Sequence, residues 1–359
     1  MHDEEMHEIT NTRTMGALPF GGRYRLIDFQ LSNMRNSGIT CVGVITKSNY
    51  QSLLEHLGSG REWDLSRKRE GLFIFSPFCS QNTGIYKNKV EALNSIMAYI
   101  KNARQDYVVI TDCDTICNLN WNESIEYHKK KNADITLLYY EVNPLKERKN
   151  ETVYHISNDG YITDILMNQT IQSSSFINTN MWIINRNLLI KMIEDAVAHS
   201  LESIEKDIFQ KKLNQYKIAA WEMKGYVKKT NSIFDYFQAN IDLLEPTIRN
   251  ELFTKNGSIY TKEYDVVSAR YTATAEITNS LVADGSVIEG KVENSILFRS
   301  VKVGKGSTIM NSVIMDDCII GENVSLNYVL ADKKVVFNDN RTLAGYELHP
   351  SYISKGSIV

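Results

Sequence analysis

Cysteine is scarce in this chain, and neither charge sign prevails. Of the 359 residues, five are cysteines, Cys41, Cys79, Cys113, Cys117 and Cys318. Their number is odd and no C-x-x-C pair occurs, which argues against a disulfide framework and leaves no zinc or dithiol signature. They are read as reduced thiols in a cytoplasmic protein. Lys and Arg number 40 against 43 Asp and Glu, a net charge of −3. Nothing there would hold a polyanion, so nucleic acid is not an expected partner. No apolar run approaches the roughly 18 residues that would span a bilayer, so no membrane partner is expected either. The start, Met-His-Asp-Glu-Glu-Met-His-Glu, is acidic and lacks the basic opening and apolar core of a secretory signal. What is present is ordinary globular composition, 43% hydrophobic and 23% charged. The length suits two or three domains at roughly 150 residues each.

From Arg23 to about Glu245, helical periods mix with short apolar runs, which predicts an α/β layered domain. Strands are expected at Thr40–Thr46, Tyr107–Thr111, Asp134–Tyr140 and Met181–Ile184. Helices are expected at Tyr24–Ser37, Lys89–Arg104, Arg186–Ala198, Glu202–Asn214 and Ile233–Leu244. The alternation implies βαβ crossovers and a mostly parallel, nucleotide-binding type of sheet. Val153–Ile156 and Tyr161–Ile165 flank Ser-Asn-Asp-Gly and read as an inserted hairpin, with Gly160 supplying the positive φ of the turn. Pro246 breaks the helix signal. The expected division is therefore a domain over 1–246, a linker over 247–265 and a second domain over 266–359.

After about Val266 the helical periods vanish. Val282-Ala-Asp-Gly-Ser, Val303-Gly-Lys-Gly-Ser, Ile320-Gly-Glu-Asn-Val and Phe337-Asn-Asp-Asn-Arg share one shape, a bulky apolar residue followed by small or polar corner residues. Their starts differ by 21, 17 and 17 residues. That is close to three six-residue faces per turn, the spacing of a parallel β-helix of hexapeptides. Val287, Val292, Ile296, Val301, Ile309, Val313, Ile319 and Val324 are the expected inward stack. An evenly spaced β-sandwich is the alternative, and the recurrence of corner composition with the spacing favours the helix.

The segment Pro19-Phe20-Gly21-Gly22-Arg23-Tyr24-Arg25-Leu26-Ile27-Asp28-Phe29, with Leu31-Ser32-Asn33 and Asn36-Ser37-Gly38-Ile39, closely resembles the ADP-glucose pyrophosphorylase (glucose-1-phosphate adenylyltransferase) family. The resemblance covers nearly the whole chain. It implies a Rossmann-like nucleotidyltransferase domain followed by a left-handed β-helix, and within the family it leans to the accessory, GlgD-type subunits of glycogen synthesis. From the residues themselves, Gly21-Gly22 ahead of a helix offers backbone N–H groups and a positive dipole end, a possible phosphate cradle. On its own a Gly-Gly turn is more often just a helix entry, and Arg23 and Arg25 also read as a solvated first turn.

Members of the family transfer AMP from ATP to glucose 1-phosphate with Mg²⁺, and two aspartates hold the metal. By resemblance, the first lies in a motif like S-G-D-H-I-Y-K-M-D-Y, which here reads Asp112-Cys113-Asp114-Thr115-Ile116-Cys117-Asn118-Leu119-Asn120-Trp121. Asp114 keeps that carboxylate, just after a strand, where open α/β sheets place ligands. An Asx turn cap is the bland alternative, and it suits Asp112 better than Asp114. The second belongs to Y-W-R-D-V-G-T-V-D-S-Y-W-E-A-N, and Tyr226 through Asn240 aligns without a gap. Lys229 takes the aspartate's place. An ammonium repels Mg²⁺, so productive metal binding by this chain is not expected.

Other positions depart in the same direction. Met167 and Leu166 fall near the lysine and glutamate of F-V-E-K-P. Asn88-Lys89-Val90-Glu91-Ala92 replaces G-T-A-D-A, and Met15 and Gly16 replace the lysine and proline of R-A-K-P-A-V-P-F, while Arg13 is kept. Arg13, Gly21, Gly22 and Arg23 remain the candidate ligand contacts. The family's opening strand and G-G-x-G-T-R-L loop have no counterpart in the twelve residues before Arg13, so a misplaced start is expected upstream.

The leading expectation is a catalytically impaired subunit that joins a catalytic paralogue in a hetero-oligomer, a tetramer by resemblance, with contacts around Tyr346–Val359. A residual sugar-phosphate or nucleotide pocket stays open as a possibility. An active sugar-nucleotide pyrophosphorylase, its metal held by Asp114 and an unrecognised partner such as Asp112, is the alternative. A hexapeptide-repeat acyltransferase would need a histidine between coils, and His349, the one histidine after His199, reads as a surface loop residue.

Overall fold

The computed structural model describes residues 6–77, 86–144 and 147–359. Cys79 lies outside them. Cys41, Cys113, Cys117 and Cys318 form no disulfide with one another, and burial pushes the Cys117 and Cys318 thiols up to about 12.

The chain opens with a short turn of helix, α1 (His7–Thr10), and the hairpin β1 (Pro19–Phe20) and β2 (Tyr24–Arg25). There follow α2 (Leu26–Asn36), β3 (Cys41–Ile45), α3 (Gln51–Leu57), β4 (Gly71–Phe75), α4 (Lys89–Ser95) and α5 (Met97–Asn102). Next come β5 (Tyr107–Ile110), β6 (Thr115–Cys117), α6 (Trp121–Lys131), β7 (Ile135–Val142), β8 (Arg148–Ile156), β9 (Ile162–Ile171) and β10 (Ser175–Asn185). The domain ends with α7 (Arg186–Ala198), β11 (Ile218–Glu222), β12 (Val227–Lys229), α8 (Ile233–Asp242) and α9 (Pro246–Thr254).

The expected α/β class holds, and the sheet is more antiparallel than the alternation implied. β10 is the hub, antiparallel to β5, β7 and β8, and the parallel pairs of this domain are β3 with β4 and β7 with β11. A long return strand carrying both edges of β10 was not visible in its four-residue apolar stretch. Two cores flank the sheet. Ile27, Leu31, Leu53 and Trp121 of α2, α3 and α6 meet Val42 and Leu138 on one face. Leu93, Ile100, Leu189 and Ile193 of α4, α5 and α7 meet Leu137, Trp182 and Ile184 on the other.

Several boundaries moved for local reasons. Lys89–Arg104 is two helices broken at Ile96, and Glu202–Asn214 holds a wide turn over Ile204–Gln210. The expected linker begins as α9, because Pro246 occupies the first helical turn, where its missing N–H costs nothing. The hairpin β8–β9 forms as expected, with Gly160 at φ +76°.

The second domain is a parallel β-helix of three five-stranded sheets. Val303, Ile320 and Phe337 stack in register along one sheet, as their spacing of 17 predicts. Val282 is not their equivalent: it belongs to another sheet, and Ile288 stands under Val303. Of the expected inward stack, Val292, Ile296, Val301, Ile309, Val313 and Val324 are buried. Val287 is only half-buried and Ile319 is 44% exposed, because their neighbours Ile288 and Ile320 take the inward positions. A serine ladder runs up one corner: the amide of Ser295 donates to Ser280 Oγ, that of Ser312 to Ser295 Oγ, and that of Val329 to Ser312 Oγ.

The two domains share a core, in which Met6, Ile9, Phe20 and Tyr236 pack with Phe298, Val313, Met315 and Leu330 of the β-helix. At its edge the buried Arg13 pairs with the buried Asp332.

Candidate functional site

Asp114 sits in the turn between β5 and β6, 1% exposed. The chain delivers it there by backbone pairing, since β6 runs against β12 and the amide and hydroxyl of Thr230 both donate to the Asp114 carbonyl. Its carboxylate accepts from Asn180 Nδ2 at 2.9 Å and from the Thr115 hydroxyl at 3.2 Å. Asn180 lies in a bulge of β10, where the register slips between Asn178 and Trp182, φ is +57°, and Asn178 Oδ1 accepts the Asn180 amide at 2.7 Å. The bulge re-aims the Asn180 side chain toward the acid.

Lys229 ends β12 and is 5% exposed. Its backbone pairs with Thr115, next to Asp114, yet its ammonium is directed at Glu151, 3.7 Å away. Sequence reading missed Glu151. It shares the inward face of β8 with Val153, so alternation along that strand carried the signal, which the slip of register on β9 around Asn168 obscured. Glu151 also accepts from Arg148 Nε at 2.9 Å and Asn231 Nδ2 at 3.2 Å, and Arg148 Nη1 reaches Asp235 at 2.8 Å. Burial opposes the Arg148 charge, but Asp235, Tyr140 and Glu151 together raise its pKa. Two cations thus offset two carboxylates inside the domain.

A second ion cluster closes the other flank. Lys89, on the first turn of α4, lies 2.9 Å from both Asp112 and Glu205. Burial works against the Lys89 charge, but the two carboxylates outweigh it and raise its pKa. Burial likewise opposes the Glu205 charge, and Lys89 reverses the balance to lower its pKa. A long side chain therefore fills ground where the family pattern has small residues. Met15 is buried, Met167 packs with the apolar core, and neither brings a charge.

The remaining candidates serve the domain junction. Gly21-Gly22 is the turn of the β1–β2 hairpin, with both φ positive, and α2 starts only at Leu26, capped by Asp28 through the Arg25 amide. This corrects the expected helix start at Tyr24. The Gly21 amide is already spent on Asn240 Oδ1 at 3.0 Å, and a Cβ on Gly22 would touch Ala283 of the β-helix. Arg23 is exposed and its carbonyl accepts from Arg299. Arg13 is enclosed against Asp332. His349 is an exposed turn residue facing Tyr346.

Mg²⁺ wants several hard oxygen ligands with room for water. Here one carboxylate is enclosed and hydrogen-bonded, and the opposite position carries an ammonium. Among the described residues no group of three or more His, Cys, Asp or Glu could hold a metal ion. The donor set does not fit the metal.

Known proteins agree with this architecture. The nucleotidyl transferase family profile matches residues 4–245, and the profile of the GlmU-like C-terminal hexapeptide region matches 265–358. The chain is 32% identical over 358 residues, 99% of its length and 94% of the relative's, to the glycogen biosynthesis protein GlgD of Bacillus subtilis (strain 168). The chain belongs to the ADP-glucose pyrophosphorylase family. It is also 35% identical to a glucose-1-phosphate adenylyltransferase of Clostridium botulinum (strain Alaska E43 / Type E3), over 91% of this chain and 92% of that one. A glucose-1-phosphate adenylyltransferase of Thermosipho melanesiensis is 33% identical over 82% of this chain and 72% of its own. The hexapeptide match and the three parallel sheets make the second domain a left-handed β-helix. No helix among the described residues is long and apolar enough to cross a membrane.

Proposed function

We propose that this chain is a non-catalytic or weakly catalytic subunit of glycogen biosynthesis, one that assembles with a catalytic glucose-1-phosphate adenylyltransferase in the cytoplasm and raises its synthesis of ADP-glucose from ATP and glucose 1-phosphate. One observation carries the reading: the second acidic position of the family's metal pair is Lys229, buried and directed at Glu151. Transfer of AMP relies on charge neutralisation at the phosphates, and a site whose internal charges already cancel has little left to supply it. Mg²⁺ is accordingly not held productively by this chain.

The last coil supports the assembly part of the reading. Tyr346 is 78% and Ile358 73% exposed there, on a coil whose strands have no neighbour beyond them among the described residues. Open strand edges with apolar side chains are surfaces that proteins cover.

The test is an ADP-glucose synthesis assay of this chain alone, of a catalytic paralogue alone, and of the two co-purified. The expected result is background activity for the first and a higher rate for the pair than for the paralogue. Robust synthesis by this chain alone would overturn the reading in favour of an active sugar-nucleotide pyrophosphorylase.

A further inference from the structure

At the end of β5 remote from Asp114 the domain opens on a cleft of about 440 Å³. It lies where Tyr107 begins β5 opposite Asn185 of β10, between the last turn of α6 and the first turn of α7. One of its walls is a buried histidine. His128 is 2% exposed, and its Nδ1 shares a hydrogen bond of 2.8 Å with the Thr136 hydroxyl. Thr136 is wholly buried and has no other partner for that hydroxyl among the described residues. Its proton therefore goes to Nδ1, which leaves the ring proton on Nε2. Burial, with Lys129 behind it, outweighs Asp134 and lowers the His128 pKa, so the ring is neutral at pH 7. Nε2 has no partner among the described residues and is not sealed off as an orphaned buried atom is, so its N–H opens on the cleft that the ring lines.

Two cations stand on the same cleft, and neither has a carboxylate partner among the described residues. Lys129 Nζ lies 5.1 Å over the Tyr107 ring, and the ammonium of Lys191 on α7 makes no ion pair or hydrogen bond. The carboxylate on the lining, Asp134, already accepts the Lys217 amide at 2.8 Å. The carbonyls of His128 and Lys129 at the end of α6 are covered too, by the Ala133 and Asn132 amides. Donors and positive charge are thus in excess. Asn185 adds to them, since its Oδ1 is spent on capping α7 through the Asn187 and Leu188 amides while its Nδ2 is left over. The carboxamides of Asn132 and Asn187 line the same space.

An apolar ligand would bury these donors without partners. An aromatic one finds no ring to stack on, because Tyr107 is already engaged by Lys129 and His128. The volume falls in the range of small-molecule sites and exceeds what a bare oxyanion fills. We propose that this cleft binds a phosphorylated polyol, its phosphate held by Lys129, Lys191 and the His128 Nε2–H and its hydroxyls by the carboxamides of Asn132, Asn185 and Asn187. Ammonium groups and an N–H in one place suit a phosphate dianion, and carboxamides, which both donate and accept, suit hydroxyls. The inference goes beyond the subunit reading and does not depend on it, since the site is at the other end of β5 from Asp114 and its readout is binding.

The test is titration of the full chain with sorbitol 6-phosphate, inorganic phosphate and sorbitol, followed through the histidine ring signals in nuclear magnetic resonance spectra. His128 is assigned from its cross-peaks to Tyr107, whose ring centroid is 5.4 Å away. The expected result is that sorbitol 6-phosphate binds, shifts the His128 ring signal and raises its pKa, while inorganic phosphate binds more weakly and sorbitol does not bind. Lys191→Ala, a change at an exposed side chain, should leave the melting temperature as it is and weaken binding of the ester roughly tenfold, as loss of one charged contact does. Sorbitol binding as well as its phosphate would overturn the anion site, and inorganic phosphate binding as well as the ester would overturn the polyol. Binding that leaves His128 unmoved, full affinity in Lys191→Ala, or no binding by any of the three would overturn the site itself.

Discussion

Lys229 Nζ stands 3.7 Å from Glu151 Oε2, with both side chains almost wholly enclosed. The cation at the position where the resemblance expects a metal-binding aspartate thus has a carboxylate of its own, on β8. A lysine in this position is a repair as well as a loss, since an enclosed Glu151 needs positive charge beside it.

Replacing Lys229 should therefore cost stability. Lys229→Met leaves Glu151 with Arg148 and Asn231, and the expected loss is about 3 kcal/mol, the low end for breaking a buried pair. Lys229→Asp should lose more, by setting a second carboxylate against Glu151, without raising ADP-glucose synthesis above background. Urea unfolding of both variants, with Lys229→Met/Glu151→Gln as the closing corner of a double-mutant cycle, measures this. A double mutant no more stable than the sum of its singles would show that the two residues are uncoupled.

Arg13 and Asp332 tie the first domain to the β-helix. Arg13→Met strands Asp332 with the hydroxyl of Tyr352 and the Lys333 amide, and the expected cost is about 3 kcal/mol. Arg13→Lys keeps the charge but not the planar fork, so it should recover only part of it. Calorimetry should show the two domains melting together in the native chain and separating in Arg13→Met.

The Lys89–Glu205 contact gives stability a predictable pH dependence. Glu205 has a folded pKa below its ordinary 4.5, so its contribution is present above that pH and is lost as pH falls through the lower folded value. The gap in urea midpoint between the native chain and Glu205→Gln should be full at pH 7 and close below about pH 4.5. A gap unchanged down to pH 3 would show that Glu205 is not stabilised as a carboxylate.

The serine ladder of the β-helix predicts a local penalty. Ser312→Ala leaves the Val329 amide without its acceptor in a buried corner, at an expected cost of about 1–3 kcal/mol. Hydrogen exchange at Val329 should rise well before exchange at Ile319, which lies in another sheet and keeps its bond to the Val335 carbonyl.

Much of the fold was legible because it rests on local periods. The three apolar strands at Thr40, Tyr107 and Asp134, the helix over Arg186–Ala198 and the coil spacing of 17 all follow from side-chain alternation and turn chemistry. β12 was invisible, because Val227-Lys228-Lys229 is too short and too charged to read as a strand, and its pairing with β6 is a long-range event. The β-helix faces that sequence reading misassigned, at Val287 and Ile319, are cases where two adjacent aliphatics offered no way to tell inward from outward.

By itself the sequence determined the class of both domains and the family. Residue types and short spacings suffice for those. Only the tertiary structure decided where the Lys229 charge goes, and that Arg13 and the Gly21-Gly22 turn serve the domain junction. Those are contacts between residues 78 to 319 positions apart, fixed by how sheets and coils pack, and no local pattern encodes them.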